Sequence, residues 1–360
     1  MGRKNKLDPE IAARTGIKPE NPEKYYKMAA TLEVNEADTT VGEGKFARVV
    51  HAESLADGKK YAAKCIKYDK ETLKFALREY DTMMDEKFQH KCMAKLHEAY
   101  IVQKYLILIM DLVEGKTILE WAVAKAKATS LSEDDVANIV KQMLDYFQTI
   151  HQNNYTHLDI RPTNIRMEKD SLFDMKILDY NSCKHVPNKK AGAVVDVIGD
   201  TEFCGPEMLS FEPISWASDM WSLGIHCYIL LSGTSPFFDI DGEDETCNAV
   251  RSAKFVAGAD EDFIGSSKAL KFCKDIFKKP PDGPMGRLPV ADALAHEWLS
   301  DDYASARKNI KLTDEVIARL EFTDNRLKDE EEEDYVIGSF VFRTFEEDEY
   351  ESPDEDEDEE

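Results

Sequence analysis

The stretch His157-Leu158-Asp159-Ile160-Arg161-Pro162-Thr163-Asn164 puts a carboxylate and an amide on one short loop, five residues apart. A second carboxylate, Asp179, comes twenty residues after Asp159, behind the largely apolar run Met175 to Leu178. This set suits phosphoryl transfer, which needs one aspartate to orient a hydroxyl nucleophile and an asparagine and an aspartate to hold magnesium on the phosphates. Asp159 would take the first role, Asn164 and Asp179 the second.

Upstream, Val41-Gly42-Glu43-Gly44-Lys45-Phe46-Ala47-Arg48-Val49 carries two glycines that would let the backbone approach phosphates with no Cβ in the way. Lys64 follows in Ala62-Ala63-Lys64, and Glu79 lies further on in Leu77-Arg78-Glu79-Tyr80. Two glycines near a strand usually make only a turn, and a strand lysine usually faces water. It is their order along the chain that favours a phosphate site.

The elements that must position these residues are legible in outline. A β signal starts at Ala30–Val34 and resumes at Val49–Ala52. The Asp57-Gly58 turn then joins it to Tyr61–Ile66 as a hairpin. A helix is expected from about Lys70 to Glu86, and a short apolar strand from Tyr105 to Met110. Ser132 to Gln152 is the strongest helix, with Ser132 and Asp135 in capping-box spacing. Its apolar stripe is Val136, Ile139, Val140, Met143, Leu144, Phe147 and Ile150. A buried helix is expected at Asp219–Leu231. Strands first and helices after imply an α+β chain with a small β-rich lobe and a larger helical one. The expected organisation is an extension at 1–28, lobes at 29–115 and 116–300, a tail helix at 301–326 and an acidic, largely disordered tail at 327–360.

With 360 residues and 42% hydrophobic content, the chain can bury one large core or two lobes sharing a cleft. No apolar run reaches the roughly 18 residues of a membrane span, and the N-terminus has no apolar segment of signal-peptide type. Gly2 lacks the Ser or Thr that myristoylation wants at the sixth position, which holds Lys6. Seven cysteines without a Cys-x-x-Cys pair suit reduced thiols in the cytosol and argue against a disulfide framework or zinc. The net charge is −25, and Leu327–Glu360 alone carries −16 of it. A nucleic-acid partner is therefore not expected, since neutralising phosphates takes a basic surface.

These motifs, in this order from about Tyr26 to Leu299, resemble the protein kinases. Downstream landmarks extend the resemblance: Gly205-Pro206-Glu207 at the end of the activation segment, Ser218–Gly224 beneath the catalytic loop, and Arg287 where kinases pair an arginine with the residue equivalent to Glu207. His-Leu-Asp, Asp219–Gly224 and Leu230–Phe237 are similar to the myosin-light-chain-kinase and titin group, and most of all to kinase domains of giant muscle proteins of the obscurin type. The resemblance implies a two-lobed protein-kinase-like fold. It places ATP on Gly42, Gly44, Val49, Ala62, Lys64, Glu79, Met110, Asp111, Val113 and Asp179, catalysis on Asp159, Arg161 and Asn164, and any metal on Asn164 and Asp179.

Five departures cluster at the chemistry. Asn181 replaces the glycine of Asp-Phe-Gly, which reads Asp179-Tyr180-Asn181, and a side chain there could misplace Asp179. Arg161 replaces a lysine and is bulkier, planar and forked. Asp200 replaces a threonine that bonds the catalytic aspartate, and would repel Asp159 or raise its pKa. Thr201 replaces the following proline, and Thr117 an acidic residue near the ribose. No Ser, Thr or Tyr lies between Ser182 and Thr201, and Leu158 removes the arginine that would receive a phosphate there.

Two readings follow. In one, a pseudokinase binds ATP with little help from magnesium and acts as scaffold or allosteric partner of other proteins, such as another kinase domain of the same giant protein. In the other, a Ser/Thr kinase works with unusual metal handling. The resemblance places either in the cytoplasm, at the sarcomere. Asp301–Lys328 has six basic and six acidic residues, so a calmodulin partner is not expected. A single helix over Ala304–Leu320, with one apolar stripe, is expected to pack on the kinase body. The apolar Tyr335–Phe345, flanked by acidic runs, reads either as an element docked on that body, as an apolar stretch with no partner, or as a linear motif for another protein.

Overall fold

A computed structural model describes residues 8–28, 40–44, 47–70, 72–168, 174–186, 201–278 and 286–336. The expected strand at Ala30–Val34, Asp200 and the segment from Ile337 onward lie outside these residues.

The first lobe is a seven-stranded sheet: β1 (Ile17–Lys18), β2 (Tyr26–Met28), β3 (Thr40–Gly44), β4 (Ala47–Ser54), β5 (Lys60–Lys67), β6 (Leu96–Val102) and β7 (Tyr105–Asp111), in the order β1-β6-β7-β5-β4-β2 with β3 on β4. The hairpin expected from the Asp57-Gly58 turn is β4–β5, and its Gly58 takes φ +69, a value that favours glycine. The extension is part of this lobe. Its short helix α1 (Pro9–Ala12) buries Ile11, and β1 runs parallel to β6. Helix α2 (Leu73–Met84) buries Leu73, Ala76, Leu77, Tyr80 and Met83 against the sheet and turns Glu79 inward.

The second lobe is built on helices α3 (Ile118–Ala128), α4 (Glu133–Gln152), α5 (Pro206–Leu209), α6 (Trp216–Ser232), α7 (Glu243–Ser252), α8 (Ala259–Asp262), α9 (Ser267–Ile276) and α10 (Val290–Leu294). Helix α4 carries the capping box read from Ser132 and Asp135, and its whole apolar stripe is buried. Helix α6 is buried from Ala217 to Ser232, its polar side chains Asp219, Ser222 and Ser232 included, as a helix at the centre of a core must be. Short strands β8 (Lys116–Thr117), β10 (Ile165–Met167) and β11 (Met175–Ile177) form a sheet, and β9 (Tyr155–Thr156) pairs with β12 (Lys184–His185). They hold the two ends of the catalytic loop.

The tail is two helices, α11 (Ala304–Asn309) and α12 (Asp314–Val336), where one had been expected over Ala304–Leu320. The break has a hydrogen-bond reason. Ile310 accepts from the Glu133 N–H at 2.9 Å and Leu312 donates to the Leu131 carbonyl at 2.9 Å, so this backbone serves the α4 entrance and leaves helix geometry. Thr313 then caps α12 through its carbonyl and hydroxyl. Helix α12 buries Val316, Ile317, Leu320 and Leu327 and continues through 327, where the sequence suggested the acidic tail would begin.

Candidate active site

Across β4, β5 and β7, Val49 faces Lys64 and Ala62 faces Met110 in register, with Gly42 paired to Val49 and Gly44 to Ala47. Asp111 ends β7, and half-buried Val113 follows it. The sheet therefore gathers the residues expected around a nucleotide. Lys64 Nζ lies 2.8 Å from Glu79 Oε1 and 3.0 Å from Asp179 Oδ1, with the lysine and Glu79 buried. Burial would lower the lysine pKa, but the charges of Asp179 and Glu79 outweigh it and raise it. Burial likewise pushes Asp179 up, yet Lys64, and then the charge of Arg161, bring it below its ordinary value. Glu79 goes the other way, because for it burial outweighs Lys64.

The catalytic loop hangs from α6. Asp219 accepts from the N–H groups of His157 and Leu158 at 2.9 Å each, from the Thr156 hydroxyl at 2.9 Å, and meets His151 at 2.8 Å. These bonds hold Leu158 at φ +69, a strained value for a branched side chain. Asn164 Nδ2 donates to Asp159 Oδ2 at 2.9 Å and to its carbonyl at 3.0 Å, which leaves the amide oxygen as the atom that would meet a metal. Arg161 Nε is 3.5 Å from Asp159 Oδ1. Below the loop, Glu207 and Arg287 form a buried two-pronged pair at 2.7 Å.

Two of the departures have structural detail that the sequence did not show. With Asn181 in place, Asp179 lies 3.0 Å from Lys64. Asp179 takes φ +62, while Asn181 has no positive φ, so its side chain meets no backbone penalty. It accepts instead from the Ser182 hydroxyl at 2.9 Å. Thr117 is more than a lost ribose carboxylate, since it is the N-cap of α3 in a capping box with Glu120.

Sequence reasoning missed two features. The Tyr180 hydroxyl, absent from a phenylalanine, donates to the Ile177 carbonyl and accepts from Ala94 N–H at 3.3 Å, while its ring packs on His157 and Phe88. The second feature is the course of helix α12: the tail packs on the kinase body as expected, but it lies against α3 and α6 and reaches β3 and the turn at Pro162–Asn164. The Thr117 hydroxyl donates to Asp324 at 3.3 Å, and Lys328 bridges Asp324 and Glu120 at 2.7 Å each. Arg326 meets buried Glu202 at 2.5 Å, with its guanidinium 3.9 Å from the Phe238 ring centroid. The balanced charge of this segment hid its contacts from a reading by net charge.

A family model for the protein kinase domain matches residues 36–299. The striated muscle preferentially expressed protein kinase of Danio rerio is 33% identical over 286 residues, 79% of this chain and 9% of that protein. The titin homolog of Caenorhabditis elegans is 30% identical over 269 residues, 74% of this chain and 1% of that protein. The chain thus spans less than a tenth of the length of these two curated relatives. Among solved structures, the twitchin kinase region from C. elegans is similar with a TM-score of 0.74 at 26% identity, covering 88% of this chain and 52% of that one.

Proposed function

The chain belongs to the protein kinase family and is related to the titin, twitchin and striated-muscle kinases of the calmodulin-kinase-like group, and from that premise we propose that it is a nucleotide-binding pseudokinase. It binds ATP between β3–β5 and the segment after β7, with little gain from magnesium and little or no phosphotransfer. It acts as a scaffold or allosteric partner in a giant muscle protein of the obscurin type, in the cytoplasm at the sarcomere. Its partners are other proteins, such as a second kinase domain of the same protein, and not calmodulin.

One observation carries this reading. Asp179 is paired with Lys64 at 3.0 Å and sits in the field of Arg161, so two protein cations compensate the charge a metal would use. If magnesium bound, Asn164 and Asp179 would hold it, and it would supply positive charge against the charge developing on the transferred phosphoryl group. Calorimetry of ATP with and without magnesium tests the proposal. Similar affinity in both supports it, and a large magnesium-dependent gain that Asp179→Ala abolishes overturns it.

A specific observation also favours the second reading, a Ser/Thr kinase of the myosin-light-chain-kinase type. The Lys64–Glu79 pair is formed at 2.8 Å, and phosphotransfer requires it. On that reading α12 holds a working site closed, because Asp324, Arg326 and Lys328 fasten it over the cleft. Releasing the helix separates the two readings.

A further inference from the structure

We propose that residues 8–18 are a positioning element for the nucleotide site, a strap that holds α2 inward so that Glu79 stays on Lys64. For its affinity readout the inference rests on the nucleotide-binding reading above.

The strap is built into the lobe. Ile11 and Ile17 are 2% and 7% exposed and belong to the same core cluster as Leu73, Leu77 and Tyr80 of α2. Arg14 grips Asp81 with two nitrogens, at 2.7 and 2.5 Å. Strand β1 adds to the edge of the sheet, pairing Ile17 with Ala99 and Lys18 with Tyr100. The approach to α2 is close, since a Cβ on Gly16 would come within 2.3 Å of the Tyr80 hydroxyl. Tyr80 and Asp81 directly follow Glu79 on the helix, so the contacts of the strap fall within two residues of the ion pair.

A second, independent observation says why such an element is needed. Kinases control the placement of this helix and its ion pair through activation-loop phosphorylation. Here the segment between Ser182 and Thr201 has no hydroxyl to phosphorylate, and Leu158 stands where an arginine would receive the phosphate. The usual lever is missing, yet the Lys64–Glu79 pair is formed at 2.8 Å.

The test uses the full chain with Ile11→Asp, which puts a charge at a buried site and detaches the strap without altering α2. A second pair of variants is Asp81→Arg alone and with Arg14→Asp. Amide exchange over residues 75–84 and calorimetric ATP affinity are the readouts. Ile11→Asp should speed exchange across α2 while α4 and α6 stay protected, and should weaken ATP by about fivefold or more. Asp81→Arg should do the same to a smaller extent, and adding Arg14→Asp should reverse it. Faster exchange confined to residues 8–28, with α2 and ATP affinity unchanged, would overturn the proposal, as would uniform loss of protection. If the unaltered chain bound no ATP, the nucleotide reading would fail, while exchange across α2 would still decide this one.

Discussion

Lys64 Nζ lies 3.0 Å from Asp179 Oδ1, so the carboxylate proposed to meet a metal is paired with a cation of the chain itself. Asp179 takes left-handed backbone at φ +62, and Asn181 does not. On the proposed reading, the departures concern what this carboxylate can hold.

Removing that carboxylate should not harm metal-free nucleotide binding. Asp179→Asn deletes a charge that repels phosphates and frees Lys64 to meet them. Titrated with ATP in chelator, this variant should bind at least as tightly as the unaltered chain. Clear weakening would mean that Asp179 contributes through a metal or through the fold.

Helix α12 should compete with nucleotide. Arg326→Glu with Lys328→Glu replaces attraction to Glu202 and Glu120 by repulsion. ATP affinity should rise by about fivefold to tenfold as the closed population is lost. An unchanged affinity would show that the helix and the nucleotide occupy the cleft together.

The sequence told much about the scaffold and less about what crosses it. The α4 stripe and its Ser132–Asp135 cap follow from local rules of period and capping, and both appear as expected. The hairpin turn at Gly58 is equally local. What escaped depends on tertiary contact. The break after Asn309 exists because Leu131 and Glu133 need backbone partners far away in sequence. The seat of Arg326 on Glu202 and Phe238 spans positions with no shared local pattern. The expected extension at 1–28 is tied down by burial of Ile11 and Ile17 and by pairing of β1 with β6, contacts made with residues far away in sequence. In the site, the types and spacing of Lys64, Glu79, Asp159, Asn164 and Asp179 were legible, whereas the conformation at Asn181 was not.

The Glu207–Arg287 pair should be the most sensitive point of the second lobe. Both side chains are at most 2% exposed, and Arg287 also donates to the Ala217 carbonyl at 2.9 Å. Arg287→Met strands a buried carboxylate and should cost about 3–5 kcal/mol in denaturant unfolding. A loss below about 1 kcal/mol would mean that water reaches Glu207 once the arginine is gone.

Acid should weaken the fold before the paired aspartates titrate. Burial pushes His157 and His226 down to about 4. Between the ordinary histidine value near 6.5 and about 4, the unfolded chain takes up protons that the folded chain refuses, so stability falls as pH drops. It is fully present above that window. Asp179 and Asp219, held below their ordinary values, lose their contribution only at lower pH, and Glu79, raised by burial, works in the opposite sense. Melting temperature should therefore decline from pH 6.5 to 5, and His226→Phe should flatten the decline. A flat profile in the unaltered chain would contradict this assignment.

The most direct test of the central claim is phosphotransfer from labelled ATP by the Arg326→Glu, Lys328→Glu chain, in magnesium and in manganese. The comparison is the same chain carrying Asp159→Asn. With the helix released, a closed cleft no longer explains inactivity. The pseudokinase account predicts that the two proteins incorporate label equally, at background. Metal-dependent incorporation that Asp159→Asn abolishes would contradict it and establish a kinase restrained by its own tail.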